Sequence, residues 1–233
     1  MPAGSSVETQ LWQRIRSHWQ EKLVWTAALN IVFWSGYLCL SRHAFFPIHA
    51  LPFTWIDRWI GFHPQPWSWI YESNFLLVGA VPWLMESRDH IRRYVTGFAV
   101  LTLISFLIFA VFPVASPRPS DLGANPFLIL ITEVDGPLNA FPSLHAGSLV
   151  FSLALIRRMF RPNRLVAGAL AIWSISILIA TLATKQHYAI DLIAGSIVGW
   201  FASAFAWRTA ARPESTSART RSRIVSTSQS GRK

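Results

Sequence analysis

Residues 23–41 read LVWTAALNIVFWSGYLCLS and contain no charged side chain. A run of about 20 apolar residues in a helix is long enough to cross the hydrocarbon core of a bilayer, which is ~30 Å thick. Further apolar stretches of similar length follow at residues 67–85, 94–117, 136–156, 165–184 and 189–207. The pattern predicts an all-α membrane protein built as a bundle of six transmembrane helices.

Two of these stretches have special features. The second contains Glu72 near its start and Pro82 near its end, where we expect a bend. In the fourth, only residues 144–156 are continuously apolar, and the span reaches a sufficient length by extending back through His145 and Pro142 to residue 136.

The composition supports a membrane protein. Hydrophobic residues make up 52% of the chain and charged residues 14%, against about 25% charged residues in soluble domains. The net charge of +10 does not indicate nucleic-acid binding, because the charges lie between the apolar runs and in the tail and not along one face. The single cysteine, Cys39, excludes an intrachain disulfide framework.

The basic residues predict the orientation, since positively charged loops remain in the cytoplasm. Of the 21 Lys and Arg residues, all but Arg42, Arg58, Arg118 and Lys185 fall in one set of alternating segments, which includes both ends of the chain. We therefore expect cytoplasmic N- and C-termini.

The chain divides into three parts. Residues 1–22 are expected to form a cytoplasmic amphipathic segment at the membrane surface, because Val7, Leu11, Ile15 and Trp19 recur every four residues. Residues 23–207 form the six-span membrane domain, whose first span resembles an uncleaved signal anchor. Residues 208–233 are rich in Ser, Thr and Arg and predict a disordered basic cytoplasmic tail.

Two of the outer segments have features other than charge. Residues 42–66 contain His43, His49 and His63, but no two are spaced i, i+4 on a helix face, so we interpret the segment as an aromatic belt at the interface in preference to a metal site. Residues 122–132 are apolar but too short to span, which indicates an interfacial or re-entrant piece.

The outer segments gather the polar residues that suggest chemistry: Arg118, Ser143, His145, Lys185, His187 and Asp191. His187 and Asp191 are four apart, so on a helix the carboxylate would accept a hydrogen bond from one imidazole nitrogen and leave the other free. An arginine fork and two histidines suit a phosphate substrate. Ordinary interfacial side chains, or a zinc site made from two histidines and an aspartate, are alternatives.

These residues carry a resemblance to a known family. The chain resembles the type 2 phosphatidic acid phosphatase (PAP2) superfamily, most closely its branch related to inositol phosphorylceramide synthases, over roughly residues 55–207. The Pro-Ser-x-x-His motif is intact at residues 142–145, and the His-x-x-x-Asp motif is intact at residues 187–191. The first motif, Lys-x6-Arg-Pro, keeps Arg118-Pro119 but has Val111 in place of its lysine. The Ser-Arg that precedes the third motif is replaced by Ala180-Thr181. Both departures resemble the motif variants of the synthase-related branch.

The resemblance implies a role for each matching residue. His187 is implied as the nucleophile that forms a phosphohistidine, Asp191 as the residue that orients it, and His145 as the general acid that protonates the leaving group. Arg118 and Ser143 are implied as phosphate ligands. Lys185, two residues before the nucleophile, is expected to add positive charge to the phosphate site. The family mechanism implies no metal and no other cofactor.

Three functional hypotheses follow. The first is a lipid phosphatase acting on phosphatidic acid, phosphatidylglycerophosphate or a polyprenyl (di)phosphate at the extracytoplasmic face. The second is a phosphotransferase that passes the phosphoryl or phospho-head group to an alcohol acceptor. The third is a non-catalytic lipid-binding protein of the same fold. The compact chain favours the inner membrane of a bacterium, with the site on the periplasmic side.

Overall fold

The computed structural model describes residues 7–209. Within this range the secondary structure is helical, with the following helices: α1 (Val7–Arg16), α2 (Trp19–Arg42), α3 (Trp55–Ile60), α4 (Trp67–Glu72), α5 (Asn74–Trp83), α6 (Arg88–Val111), α7 (Pro126–Val134), α8 (Leu144–Phe160), α9 (Arg164–Ala183) and α10 (Ala189–Thr209). The predicted tail falls almost entirely on residues 210–233, which lie outside the described residues, as do residues 1–6.

Four of the described helices are long and apolar enough to cross a membrane: α2, α6, α9 and α10. These correspond to the first, third, fifth and sixth predicted spans. Apolar side chains such as Ile31, Leu107 and Trp200 are exposed along them, as expected for a surface that contacts lipid. The protein is therefore an all-helical integral membrane protein.

The second predicted span is divided into α4 and α5 at Ser73. The Ser73 hydroxyl donates to the Ile70 carbonyl at 2.6 Å and accepts the indole N–H of Trp173 at 2.8 Å, which ties the break to α9. The bend was expected at Pro82, but Pro82 is the penultimate residue of α5. The span is interrupted at Ser73, between α4 and α5, and not at the proline. The fourth predicted span corresponds to α8, a helix of 17 residues.

The third predicted span, residues 94–117, is long enough to include its exit from the bilayer, and it contains both a helix and an irregular segment. Helix α6 ends at Val111, and Phe112 has φ −139° and ψ 68°. Proline disfavours helical geometry in the residue before it, so Pro113 explains why the helix does not continue to residue 117. The chain continues from Phe112 in an irregular segment that carries Arg118.

Helices α8 and α10 run parallel and in close contact. Gly195 packs against the backbone of Ser143, and Gly199 packs against the backbone of Gly147. A Cβ atom at either glycine would overlap a carbonyl oxygen of α8 or its cap. Small residues spaced four apart permit this approach, and it brings the N-terminal ends of both helices to the same end of the bundle, here called the site end.

Three extended segments meet above the site end. His49 and Asn139 each pair with Val114 in isolated parallel bridges. The Ala140 amide donates to the Val114 carbonyl at 3.2 Å, and the Ala115 amide donates to the His49 carbonyl at 2.8 Å. This pairing places the segment before α8 beside the segment that carries Arg118.

Helix α1 contacts the opposite end of the bundle, where Arg14 lies 2.9 Å from Glu86 and over the ring of Phe160. The predicted amphipathic helix is present, but it ends at Arg16, and His18 adopts a left-handed conformation before α2 begins at Trp19. Trp19 therefore does not continue the apolar stripe of α1. The Lys22 ammonium is buried and donates to the carbonyls of Arg14 and Trp83 at 2.6 and 3.0 Å. The position of α1 on a membrane surface stays a prediction.

Candidate active site at the N-termini of α8 and α10

The start of α8 is joined to the start of α10 through their backbones. Ser143 is the N-cap of α8, and its hydroxyl oxygen accepts the Ala146 amide at 3.3 Å. Its own amide donates to the Asp191 carbonyl at 3.0 Å in the first turn of α10. Two helix N-termini therefore converge, and each presents the positive end of a helix dipole to an anion. The hydroxyl hydrogen of Ser143 remains available to a phosphate oxygen.

His187 is held by the segment that precedes α8. Its Nδ1 lies 2.9 Å from the Ala140 carbonyl oxygen and 3.5 Å from Asp191 Oδ2. A carbonyl oxygen can only accept, so Nδ1 carries the hydrogen and Nε2 presents a free lone pair. This tautomer is the one that a nucleophilic imidazole requires.

The relation of His187 to Asp191 differs from the expected one-turn pair on a helix. Helix α10 begins at Ala189, so His187 lies before it in the turn that follows α9. The Asp191 Oδ2 atom accepts the Tyr188 amide at 2.8 Å, and the side chain is fully buried. Asp191 contacts both the imidazole and the turn that carries it, while the nearer acceptor for His187 is a backbone carbonyl. The orienting role of Asp191 stays a prediction.

His145 lies beside His187. The two ring centroids are 5.7 Å apart, and the planes are inclined at 62°. The His145 ring stacks on Tyr71 of α4 with a centroid distance of 4.2 Å. Its Nε2 is buried and has no hydrogen-bond partner among residues 7–209. An imidazole held by stacking with an unpaired nitrogen can accept or donate a proton to a bound ligand.

Arg118 is fixed next to the histidine pair. Its Nε donates to the side-chain oxygen of Gln186 at 2.7 Å, and Gln186 directly precedes His187. Its two terminal nitrogens donate to the carbonyl oxygen and the carboxylate of Asp135 at 2.6 and 3.0 Å. Three of the five guanidinium N–H groups are thus engaged, and the remaining two can bind phosphate oxygens.

Lys185 has a different environment from the one expected of a phosphate ligand. Its ammonium donates to the Asp57 carbonyl at 2.5 Å and lies 5.7 Å from the centre of the Phe53 ring. Burial lowers the pKa of Lys185, and the charge of Asp57 partly offsets this effect. The contact directs the cation towards α3, and its role in binding phosphate stays a prediction.

Three groups that contact the site were not predicted from the sequence: Asp57, Gln186 and the Ala140 carbonyl. The Asp57 carboxylate is buried and accepts the Ala189 amide at 2.8 Å, which caps α10 from a distant part of the chain. The signal for Asp57 was its spacing from Thr54, which forms a capping box at α3. The role of a backbone carbonyl does not depend on its side chain, so the residue type at position 140 does not indicate it. A single glutamine likewise forms no sequence pattern that would predict a role at the site.

An apolar groove leads away from His145. It has a volume of about 350 Å³ and is bounded by α2, α5, α6 and α8. Its lining includes His145 at the site end and Lys22 at the opposite end, with aromatic and aliphatic side chains between them. We call it the α2–α5 groove. Its dimensions and lining suit a hydrocarbon chain.

His43 and His49, in the segment of residues 42–66, contact different parts of the chain. His43 Nδ1 lies 3.0 Å from the Cys39 carbonyl oxygen, and His49 stacks on Phe112 with a centroid distance of 4.2 Å. Among the residues that the structure describes, no group of three His, Cys, Asp or Glu side chains is placed to hold a metal ion.

The comparisons with known proteins concern the family of the chain. A family model described as the PAP2 superfamily matches residues 42–205, which include all six predicted site residues. A search of curated proteins and a search of solved structures gave no significant match. The superfamily generally comprises phosphatases and related phosphotransferases, and the matched region covers most of the chain. The chain belongs to the PAP2 superfamily.

Proposed function

We propose that this protein is an integral membrane lipid-phosphate phosphatase that acts through a phosphohistidine intermediate on the extracytoplasmic face. The substrate class is a phosphate monoester or diphosphate on a lipid, such as phosphatidic acid, phosphatidylglycerophosphate or a polyprenyl (di)phosphate. The observation that carries the proposal is the pair of histidines, 5.7 Å apart between ring centroids, at the site end of the apolar α2–α5 groove.

The reaction has two steps. The Nε2 lone pair of His187 attacks phosphorus, the bond from phosphorus to the lipid oxygen breaks, and protonated His145 gives its proton to that oxygen. Neutral His145 then takes a proton from water, whose oxygen attacks the phosphohistidine and releases phosphate and His187. The Ala140 carbonyl supports the first step, because it holds the His187 hydrogen on Nδ1 at 2.9 Å.

The charge on the transferred phosphoryl group is balanced by the surroundings of the histidines. Arg118 supplies two free N–H groups beside Gln186, and Ser143 supplies a hydroxyl. The N-termini of α8 and α10 add two helix dipoles. In this arrangement Asp191, 3.5 Å from His187 Nδ1, stabilises the positive imidazole ring of the intermediate.

The topology belongs to the same proposal. The α4–α5 pair and α8 complete six crossings, both termini are cytoplasmic, and the site end faces the periplasm of a bacterium. The parallel packing of α8 and α10 supports this arrangement, because two even-numbered spans cross a membrane in the same direction. The distribution of basic residues supports it as well.

A phosphotransferase of the inositol phosphorylceramide synthase type is the second candidate. It would share the first step, and an alcohol would replace water in the second. The observation that favours it is the loss of two basic motif positions, where the chain has Val111 and Thr181. Val111 is exposed at the end of α6, and the Thr181 hydroxyl is bound to the Leu178 carbonyl at 2.8 Å. Neither residue supplies a replacement cation.

The test uses the full chain purified in detergent, with a panel of lipid phosphates and no added metal. Release of inorganic phosphate and the lipid products are followed with and without a polyol. We expect release that falls by at least about 10³-fold in His187→Ala and persists in His43→Ala, a control histidine bound to its own helix. Lipid turnover only with the polyol would establish the transferase. Turnover of no lipid in the panel would favour a non-catalytic lipid-binding protein, and equal turnover in His187→Ala would contradict catalysis through His187.

A further inference from the structure

Asn74 is an unusual residue in the wall of the α2–α5 groove. It is the first residue of α5, and its side chain is 3% exposed. It lines the groove together with His145 and Ser148 of α8. An amide in a largely apolar wall, at the end of the groove that holds a histidine of the candidate active site, is placed to contact the part of a lipid that lies just below the phosphate.

The orientation of the Asn74 amide follows from its neighbour. The Ser148 hydroxyl donates its single hydrogen to the His145 carbonyl at 3.3 Å. Ser148 can therefore only accept from Asn74, and the Asn74 Nδ2 atom lies 3.1 Å from the Ser148 oxygen. The Asn74 Oδ1 atom consequently points elsewhere, and it is buried with no hydrogen-bond partner among residues 7–209.

An unpaired buried acceptor is costly, and native proteins rarely contain one without a reason. The contact with Ser148 accounts for the amide N–H group but not for the oxygen. A leucine would fill the same wall without this cost. The oxygen can only accept a hydrogen bond, so the partner that would satisfy it must be a donor.

The chemistry of a lipid phosphate limits what that donor can be. Hydrocarbon chains have no donor, and ester oxygens only accept. A free hydroxyl or an amide N–H on the lipid backbone, within a few bonds of the phosphoester, is the remaining source. Such a group would lie beside Asn74 when the phosphate contacts the histidine pair and the chain occupies the groove.

Resting on the proposed function, we propose that Asn74 is a specificity-determining residue for lipid phosphates with a hydroxyl or amide N–H next to the phosphoester. Its Oδ1 accepts the hydrogen bond from that group. Monoacylglycerol phosphates and N-acyl sphingoid phosphates have such a donor, whereas diacylglycerol phosphates and polyprenyl phosphates do not.

The experiment compares two lipids that differ only in the 2-hydroxyl group: a 1-acylglycerol 3-phosphate and its 2-deoxy analogue, which has hydrogen in place of the hydroxyl. Phosphate release gives kcat/KM for both lipids on the same preparation of the full chain. The ratio of the two values cancels any fraction of misfolded protein. The variants are Asn74→Leu and Asn30→Leu. Asn30 also lines the groove, but it is exposed on α2 and its amide donates to the Thr26 carbonyl at 2.8 Å.

We expect the unaltered protein to prefer the hydroxyl lipid by about tenfold, the effect of one hydrogen bond to a buried acceptor. The preference should fall to about one in Asn74→Leu and remain in Asn30→Leu. A ratio near one in the unaltered protein, or a preference that survives Asn74→Leu, would overturn the inference about Asn74. The proposed function would still stand in either case if phosphate release depended on His187. Release from neither lipid would overturn the inference alone, because other lipid phosphates remain as substrates of the proposed phosphatase, whereas release unchanged in His187→Ala would overturn both.

Discussion

The backbone selects the tautomer of His187. The Ala140 carbonyl oxygen lies 2.9 Å from Nδ1, whereas the nearest oxygen of Asp191 lies 3.5 Å away. The carbonyl orients the ring and selects its tautomer in the resting protein. We expect the Asp191 carboxylate to contribute mainly when the ring becomes positively charged. The two acceptors therefore have separable effects on turnover.

Replacing Asp191 by asparagine separates the effect of the carboxylate from the effect of the Ala140 carbonyl. The amide oxygen of Asn can still accept the Tyr188 amide, which Asp191 accepts at 2.8 Å, and the Ala140 contact is unaffected. We expect kcat to fall by about 10²-fold through loss of the negative charge, with substrate affinity and thermal stability nearly unchanged. Steady-state kinetics beside His187→Ala is the measurement. An Asp191→Asn variant as inactive as His187→Ala would mean that the carboxylate, and not the carbonyl, sets the tautomer.

At the scale of elements, the site depends on how closely α8 approaches α10. Gly195 and Gly199 contact the backbones of Ser143 and Gly147, so the separation of the two helices is set by backbone atoms that cannot rotate away. This contact holds Ser143 and the first turn of α10 together. The spacing of His145 and His187 follows from it.

A methyl group at Gly195 should therefore disturb both stability and activity. In Gly195→Ala the new Cβ would overlap the Ser143 carbonyl oxygen, and we expect a loss of about 1–3 kcal/mol in the free energy of unfolding. Gly168→Ala in α9 is the control, because a Cβ there meets no atom within 4 Å. Thermal unfolding in detergent is the measurement. Equal melting temperatures for the two variants would show that α8 and α10 are not in the close contact described.

A second prediction at the scale of elements concerns the α2–α5 groove and the lipid chain that it is proposed to hold. Gly79 of α5 lines the groove, and a Cβ there meets no atom within 4 Å. In Gly79→Leu the side chain should occupy space that a lipid chain needs. We expect turnover of long-chain lipid phosphates to fall at least about tenfold, while turnover of p-nitrophenyl phosphate, which has no chain, is unchanged.

Gly168→Leu is the matched control for the groove. It adds the same side chain to a helix outside the groove lining, also without a clash. Both activities should remain at the level of the unaltered protein. If Gly79→Leu lowered the two activities in parallel, or left both unchanged, the groove would not hold the substrate chain.

At the scale of the whole molecule, the proposed orientation can be tested by labelling. The chain has one cysteine, which is exposed, and a Cys39→Ser background removes it. Ser120, in the segment with Arg118, and Arg92 of α6 are both exposed. A membrane-impermeant maleimide applied to intact cells should label Ser120→Cys. It should label Arg92→Cys only after the membrane is permeabilised. The reverse pattern would place the candidate site in the cytoplasm.

The apolar runs predicted the helical class and the four longest helices, since length and hydropathy determine what can cross a bilayer. The structure places four of the predicted site residues at the same end of the bundle, namely His145, His187, Ser143 and Arg118, while their roles stay predictions. Helix α10 begins at Ala189, where the sixth apolar stretch also begins, but its cap could not be predicted, because the Asp57 carboxylate that accepts the Ala189 amide comes from far away in the chain. The break at Ser73 also depends on a distant partner, Trp173. Periodicity describes which face is apolar and does not indicate where a remote hydrogen bond begins or ends a helix.

The central claim is that His187 becomes covalently phosphorylated. The most direct measurement mixes the full chain with a lipid phosphate, quenches within milliseconds under alkaline conditions that preserve phosphohistidine, and analyses the peptides by mass spectrometry. We expect the mass of one phosphoryl group on the peptide with His187, present during turnover and absent in His187→Ala. Phosphate release during turnover with no phosphorylated His187 peptide at any quench time would contradict the mechanism.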